Sequence, residues 1–188
     1  MNIRIAVAIL IGVLVMVMII VWTFKSRRTT RLQRQFGPEY DRLLATDRSR
    51  RRVEAELEAR CLRVKALHLH ELEAAKRRQL LDAWESAQAR FADDPRGAVA
   101  AAARLVEEAL EAEGYSVGDF DQCMADLSVD HAYVAEDYRT ARDISARAER
   151  GGASTEDLRQ AMIFYRTLFE DVLGERIRKQ EAHHERAA

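Results

Sequence analysis

The sequence predicts an all-α protein: a single N-terminal transmembrane helix, a long juxtamembrane helix, then a small helical bundle. Three observations predict it. Residues Ile5 to Phe24 form a run of twenty without a charge. Gly and Pro number only eight and two in 188 residues, while Ala, Glu, Arg and Leu dominate and favour helix. Beyond residue 70, apolar residues recur at spacings of three and four, as on the inner face of an amphipathic helix. The one alternating stretch, Val53 to Ala59, is too rich in Ala and Glu to read as a strand. The expected divisions are a transmembrane anchor over 1–24, a basic stalk over 25–69, an acidic bundle over 70–174 and a charged tail over 175–188.

Each element has its own justification. Twenty helical residues span about 30 Å, the thickness of a bilayer's hydrocarbon core. Trp22 stands near the end of the run, at the level where an indole favours the headgroups. A cleaved signal peptide has a shorter apolar region ending at small residues, whereas this run closes in Val21-Trp22-Thr23-Phe24-Lys25. Thr29 to Phe36 reads as a polar exit ended by Gly37-Pro38. One helix is then expected from about Glu39 to Ala66, with Val53, Leu57, Cys61 and Val64 on one side and Ala55, Ala59, Leu62 and Ala66 almost opposite. Apolar residues on both sides mark a helix packed between neighbours, so Val53, Leu57, Cys61 and Val64 are a candidate surface for a partner or a second copy.

Leu67 to His70 breaks the pattern. A helix from about Glu71 to Ala92 carries Leu80, Trp84, Ala87 and Phe91 inward. Asp94 then suits an N-cap and Pro95 a first helical turn, and that helix carries Val99, Ala102, Val106, Ala109 and Leu110 and ends at Gly114. Ser116 to Asp119 reads as a capping box for a short helix with Phe120, Met124 and Leu127. A further helix, over about Asp130 to Arg150, is capped by Asp130 or Ser128 and carries Val134, Tyr138, Ala141 and Ile144. Ser154 and Asp157 open the last one, with Leu158, Met162, Tyr165, Leu168, Phe169 and Val172 inward and a fraying tail after Gly174. The aromatics mostly fit inward stripes; Phe164, between Arg159 and Arg166, falls beside the centre of its stripe, with core packing as the expected reading and a partner surface as the alternative.

Charge sets a direction. Lys25, Arg27, Arg28, Arg31 and Arg34 follow the apolar run, against Arg4 and the terminal amine before it. Basic residues stay on the cytoplasmic side, so the expected location is the inner (plasma) membrane with the C-terminal domain cytoplasmic; a domain outside is the alternative. Residues 25–65 carry 13 basic and 6 acidic residues, a net +7, and residues 66–188 carry 16 and 25, a net −9. The five basic residues next to the run are candidate contacts for anionic lipid, and the acidic remainder argues against nucleic acid. Cys61 and Cys123 form neither a disulfide framework nor a metal spacing.

Chemistry-bearing patterns are thin. His70-Glu71 lacks a second His at position 74, and no nucleophile elbow, P-loop or dinucleotide fingerprint occurs. Asp119, Asp121, Asp126 and Asp130 cluster before His131, but the Glu-x-x-His motifs of a di-metal bundle are missing. No catalytic, cofactor-binding or metal-binding residue is therefore assigned. A small hydrolase built on Asp119 to His131 is the minor alternative to a non-enzymatic protein.

From Trp84 onward the chain carries Trp84-x-x-x-Gln88-x-x-Phe91-x-Asp93-Asp94-Pro95, Gly114-Tyr115, Phe120, Leu127-Ser128-Val129-Asp130-His131 and Tyr138-Arg139-x-Ala141. Thr155 to Met162 and Tyr165-Arg166-x-Leu168-Phe169 follow, and Phe36 to Tyr40 belongs with them near the anchor. In these segments it resembles a group of uncharacterised bacterial proteins with an N-terminal membrane anchor. The resemblance implies a helical fold and a membrane location and brings no activity. The sequence-based expectation is a membrane-anchored, non-enzymatic protein that presents its domain for protein interaction or self-association. A membrane-surface sensor of anionic lipid is the alternative.

Overall fold

A computed structural model describes the backbone of residues 3–47, 49–70 and 72–187, with side chains for these except 3–11, 17, 21, 24, 25 and 175–187. The described residues are all helical or loop, with no strand. The helices are α1 (Ile3–Phe36), α2 (Pro38–Thr46), α3 (Arg50–Ala66), α4 (Ala74–Arg90), α5 (Pro95–Glu113), α6 (Phe120–Asp130), α7 (Ala132–Glu149) and α8 (Thr155–Ala187). They form two compact units, residues 1–57 and 58–188.

In the first unit, α1 runs unbroken through the expected polar exit. Gly37, at φ 46, makes the turn into α2, and Pro38 occupies its first position. The single helix expected from Glu39 to Ala66 is two. Asp47 ends α2, and its Oδ1 accepts from Ser49 N at 2.9 Å, a local bond that competes with helix. Leu32, Phe36, Tyr40, Val53 and Leu57 are buried. The buried Glu54 carboxylate accepts from Thr29 Oγ1 at 2.7 Å and from the Tyr40 hydroxyl at 3.4 Å.

Among the described residues no helix is long and apolar enough to cross a membrane. The run Ile5 to Phe24, read from the sequence as a span, is helical within α1, and its side chains at 5–11, 17, 21 and 24 lie outside the described residues.

The second unit is the bundle. α8 packs on α5 and α7, α4 on α5, and α6 on α7. Trp84 of α4 stacks on Phe169 of α8 with ring centroids 4.6 Å apart, and Tyr138 stands edge-on to both Phe120 and Tyr165. The apolar stripes expected on α4 to α8 are buried, with Phe91, Phe120, Val134 and Phe164 half-buried against the same core. Tyr133 departs from them and is 75% exposed.

The caps match in part. Asp94 Oδ1 accepts from Gly97 N at 2.9 Å ahead of Pro95. Gly114 ends α5 at φ 103, where a Cβ would meet His68 O at 3.1 Å and His70 Nδ1 at 3.2 Å. Ser154 and Asp157 form a reciprocal box, Asp157 N to Ser154 Oγ at 3.1 Å and Ser154 N to Asp157 Oδ2 at 2.9 Å. Before α6, however, Asp119 itself is the cap, accepting from Gln122 N at 3.1 Å, so Ser116 plays no part. Neither Asp130 nor Ser128 caps α7. Asp130 is the last residue of α6, Ser128 Oγ donates to Ala125 O at 2.7 Å, and His131 holds the junction. Gly174 does not end α8, whose backbone continues to Ala187.

Candidate functional site

Three places concentrate what this chain can do: the exposed parts of α1, the two faces of α3, and a buried polar seam below α6.

On α1, Val13, Leu14, Val15, Met16, Met18, Ile19, Ile20 and Trp22 are all exposed, Trp22 by 70%. At about 100° per residue these eight point in every direction around the helix axis. A helix apolar all round is a buried helix or one that lies in lipid. Basic residues follow on the same helix. Arg27, Arg31 and Arg34 recur at spacings of four and three, are exposed, and lie opposite the buried Leu32 and Phe36. No ion pair to these three is seen among the described residues. Arg28 points to one side of this stripe, and the side chain of Lys25 lies outside the described residues.

On α3 the structure separates the two stripes. Val53, Leu57, Cys61 and Val64, the candidate partner surface, are buried within this chain. They form its own packing face and are not an open surface. Ala55, Ala59, Leu62 and Ala66 are the stripe left in solvent, Leu62 by 68%. Sequence periodicity cannot rank two apolar stripes of similar strength. The polar residues could: Arg60 and Glu54 sit among the buried four, and each has a partner that lies far along the chain.

The polar seam explains the acidic cluster. Arg60 Nη1 reaches Ser128 Oγ at 3.4 Å, and Arg63 Nε donates to the buried Asp126 Oδ1 at 2.8 Å. Gln122 Nε2 also donates to Asp126, at 3.0 Å. Asp126 is thus a satisfied buried carboxylate, Asp119 a cap, and Asp121 and Asp130 are exposed. His131 is buried, and its Nδ1 donates not to the neighbouring Asp130 but to Asp171 Oδ2 of α8, at 2.5 Å. The Tyr115 ring stands edge-on to the imidazole at 6.4 Å.

A carboxylate that holds a histidine ring in place is part of general-base machinery, but it needs a nucleophile or substrate beside the ring. Here the ring is closed into the packing between α6, α7 and α8, where the pair serves to fix a helix junction. Asp171 was not legible in the sequence. It stands three residues after Leu168, on the margin of the inward stripe, and nothing local announces its partner 40 residues away. Replacing His131 by Ala is expected to cost about 1–3 kcal/mol, because the hydrogen bond from the buried ring to Asp171 and the ring's packing are lost, while Asp130→Ala stays within about 0.5 kcal/mol. Urea denaturation of the two variants checks this.

A groove of about 610 Å³ is lined by Val99, Ala100, Ala103, Ser145 and Tyr165 among others. Ser145 Oγ and the Tyr165 hydroxyl are 2.9 Å apart, and Arg142 pairs with Glu107 while lying 4.7 Å over the Phe120 ring. Arg159 and Arg166, flanking Phe164, are taken up by Glu156 and Glu170 on their own helix. Among the described residues no three His, Cys, Asp or Glu side chains come together to hold a metal. Cys61 and Cys123 are separate buried thiols. Burial pushes the Cys123 thiol up to about 11, helped by the nearby Asp126 and Glu107 carboxylates, which leaves it a poor nucleophile. No protein-family model, curated protein or solved structure matches this chain.

Proposed function

We propose that this chain is a membrane-anchored, non-enzymatic helical protein that holds its bundle at the inner (plasma) membrane, on the cytoplasmic side, and docks a protein partner or a second copy there. The observation that carries the reading is α1: apolar side chains exposed on every side of the helix, followed without a break by an exposed basic stripe. Exposed in water, such a helix would leave a continuous apolar cylinder unburied; in a bilayer the same surface is solvated by lipid. The order of apolar run and basic residues supports a cytoplasmic bundle. Native mass spectrometry of the full chain from detergent, with an affinity pull-down, tests the docking. The expected result is a dimer or a reproducible partner. A strict monomer that recovers nothing would overturn it.

A second reading, binding of anionic lipid, is favoured by Arg27, Arg31 and Arg34 sharing one face away from the buried side of α1. Near an anionic leaflet each contributes about 1 kcal/mol. In vesicles of phosphatidylcholine with added phosphatidylserine, labelled anionic lipid is expected to cluster around the wild-type chain. R27Q/R31Q/R34Q should abolish this, and equal clustering by both proteins would remove the reading.

A further inference from the structure

We propose that a second copy of this chain docks, parallel and in register, on the open stripe of α3 formed by Ala55, Ala59, Leu62 and Ala66. The inference rests on the membrane-anchored reading and names the partner within it. The four residues follow at spacings of four, three and four, and on a helix they lie within about 60° of one another. They are exposed, whereas the other stripe of the same helix is consumed inside the chain. Three alanines allow two helix backbones to approach closely, and Leu62 supplies the one large apolar side chain.

The charges beside the stripe say what covers it. Arg51 and Glu58 flank it on one side, seven residues apart, and Glu56 and Arg63 flank it on the other at the same interval. In a parallel pair each residue of the first flank meets the one five positions on in the second chain. Arg51 then faces Glu56 of the partner subunit, and Glu58 faces Arg63 of the partner subunit. Both meetings join opposite charges, and two-fold symmetry repeats each. The Arg63 side chain is 41% exposed while its Nε holds Asp126, which leaves part of the guanidinium open to solvent. A stripe whose flanks match themselves is suited to its own copy. The contact is short and rich in alanine, so it is weak in free solution. Two chains held in one bilayer meet at a high effective concentration, which makes a weak contact sufficient.

The test is disulfide cross-linking of the full chain in membranes at low protein density, using A59C. Wild type is a control because Cys61 and Cys123 are buried, and T140C, on the exposed side of α7, reports random collision. A59C is expected to give a covalent dimer, and the two controls none. L62K in the A59C background should nearly abolish it. R51E should lower it about threefold, and R51E/E56R should restore it. All altered residues are exposed, and melting curves of each variant confirm the fold. An A59C yield no higher than T140C overturns the proposal. So does R51E without effect, since in an antiparallel pair Arg51 has no charged partner. Fractionation of the same samples separates the two levels. A dimer found in the soluble fraction keeps the docking and rejects the anchor, and membrane-bound chain without dimer does the reverse.

Discussion

Replacing Trp84 by Ala is expected to destabilise the bundle by about 3–5 kcal/mol, as truncation of a large buried aromatic does. Trp84 is 5% exposed, and its ring lies on Phe169 at 17° to parallel. The stack joins the outer helix α4 to α8, the helix on which α5 and α7 also pack. Loss of the indole removes apolar contact and leaves a cavity that the close-packed helices around it close only in part. A domain of this size has about 5–15 kcal/mol in total, so the melting midpoint falls by about 10–20 °C. Tyr133→Ala, at the exposed aromatic of α7, is expected to shift it by no more than a degree or two. Thermal denaturation followed by circular dichroism checks the pair, and equal shifts would mean that the core is not centred on this stack.

Stability should also fall on the alkaline side. Burial, before any charge effect, raises the Cys123 thiol to about 11 and the Tyr165 hydroxyl to about 12, and raises Tyr138 as well, with Glu107 adding to each. In these groups the neutral form is the one the fold favours. The unfolded chain therefore releases its proton first, near pH 9 for the thiol and near pH 10 for the phenols. Below pH 9 the stabilisation is fully present. Above it, each group costs about 1.4 kcal/mol per pH unit until its folded-state value is reached. Urea midpoints are expected to agree at pH 7 and 8, then drop steeply between pH 9 and 11. A midpoint unchanged at pH 11 would show that these groups are not desolvated in the fold.

Much of this arrangement was legible in the sequence, because periodicity and caps are local. The stripes of α4, α5, α7 and α8 needed only spacing, and Asp94-Pro95 and Ser154 with Asp157 needed only a few residues of context. What was missed depended on distance along the chain. The break at Asp47 to Ser49 is set by a single side chain's bond to a nearby amide, too weak a signal against the helical composition around it. The role of His131 is set by Asp171, and that of Asp126 by Arg63, partners 40 and 63 residues away. The same holds for α3. Two apolar stripes were visible, but which one faces inward depends on where Arg60 and Glu54 find their partners.

The charge asymmetry gains a more definite form in three dimensions. Three of the cations next to the apolar run, Arg27, Arg31 and Arg34, share the side of α1 away from its buried residues. The described carboxylates before His131 divide into a cap at Asp119, a buried partner at Asp126 and exposed surface at Asp121 and Asp130. The weight of the functional reading therefore falls on α1. The most direct measurement is extraction of membranes that contain the full chain with alkaline carbonate, set beside the same chain lacking residues 3–24. A spanning helix keeps the full chain in the pellet and leaves the shortened chain in the supernatant. Release of the full chain by carbonate would contradict the account.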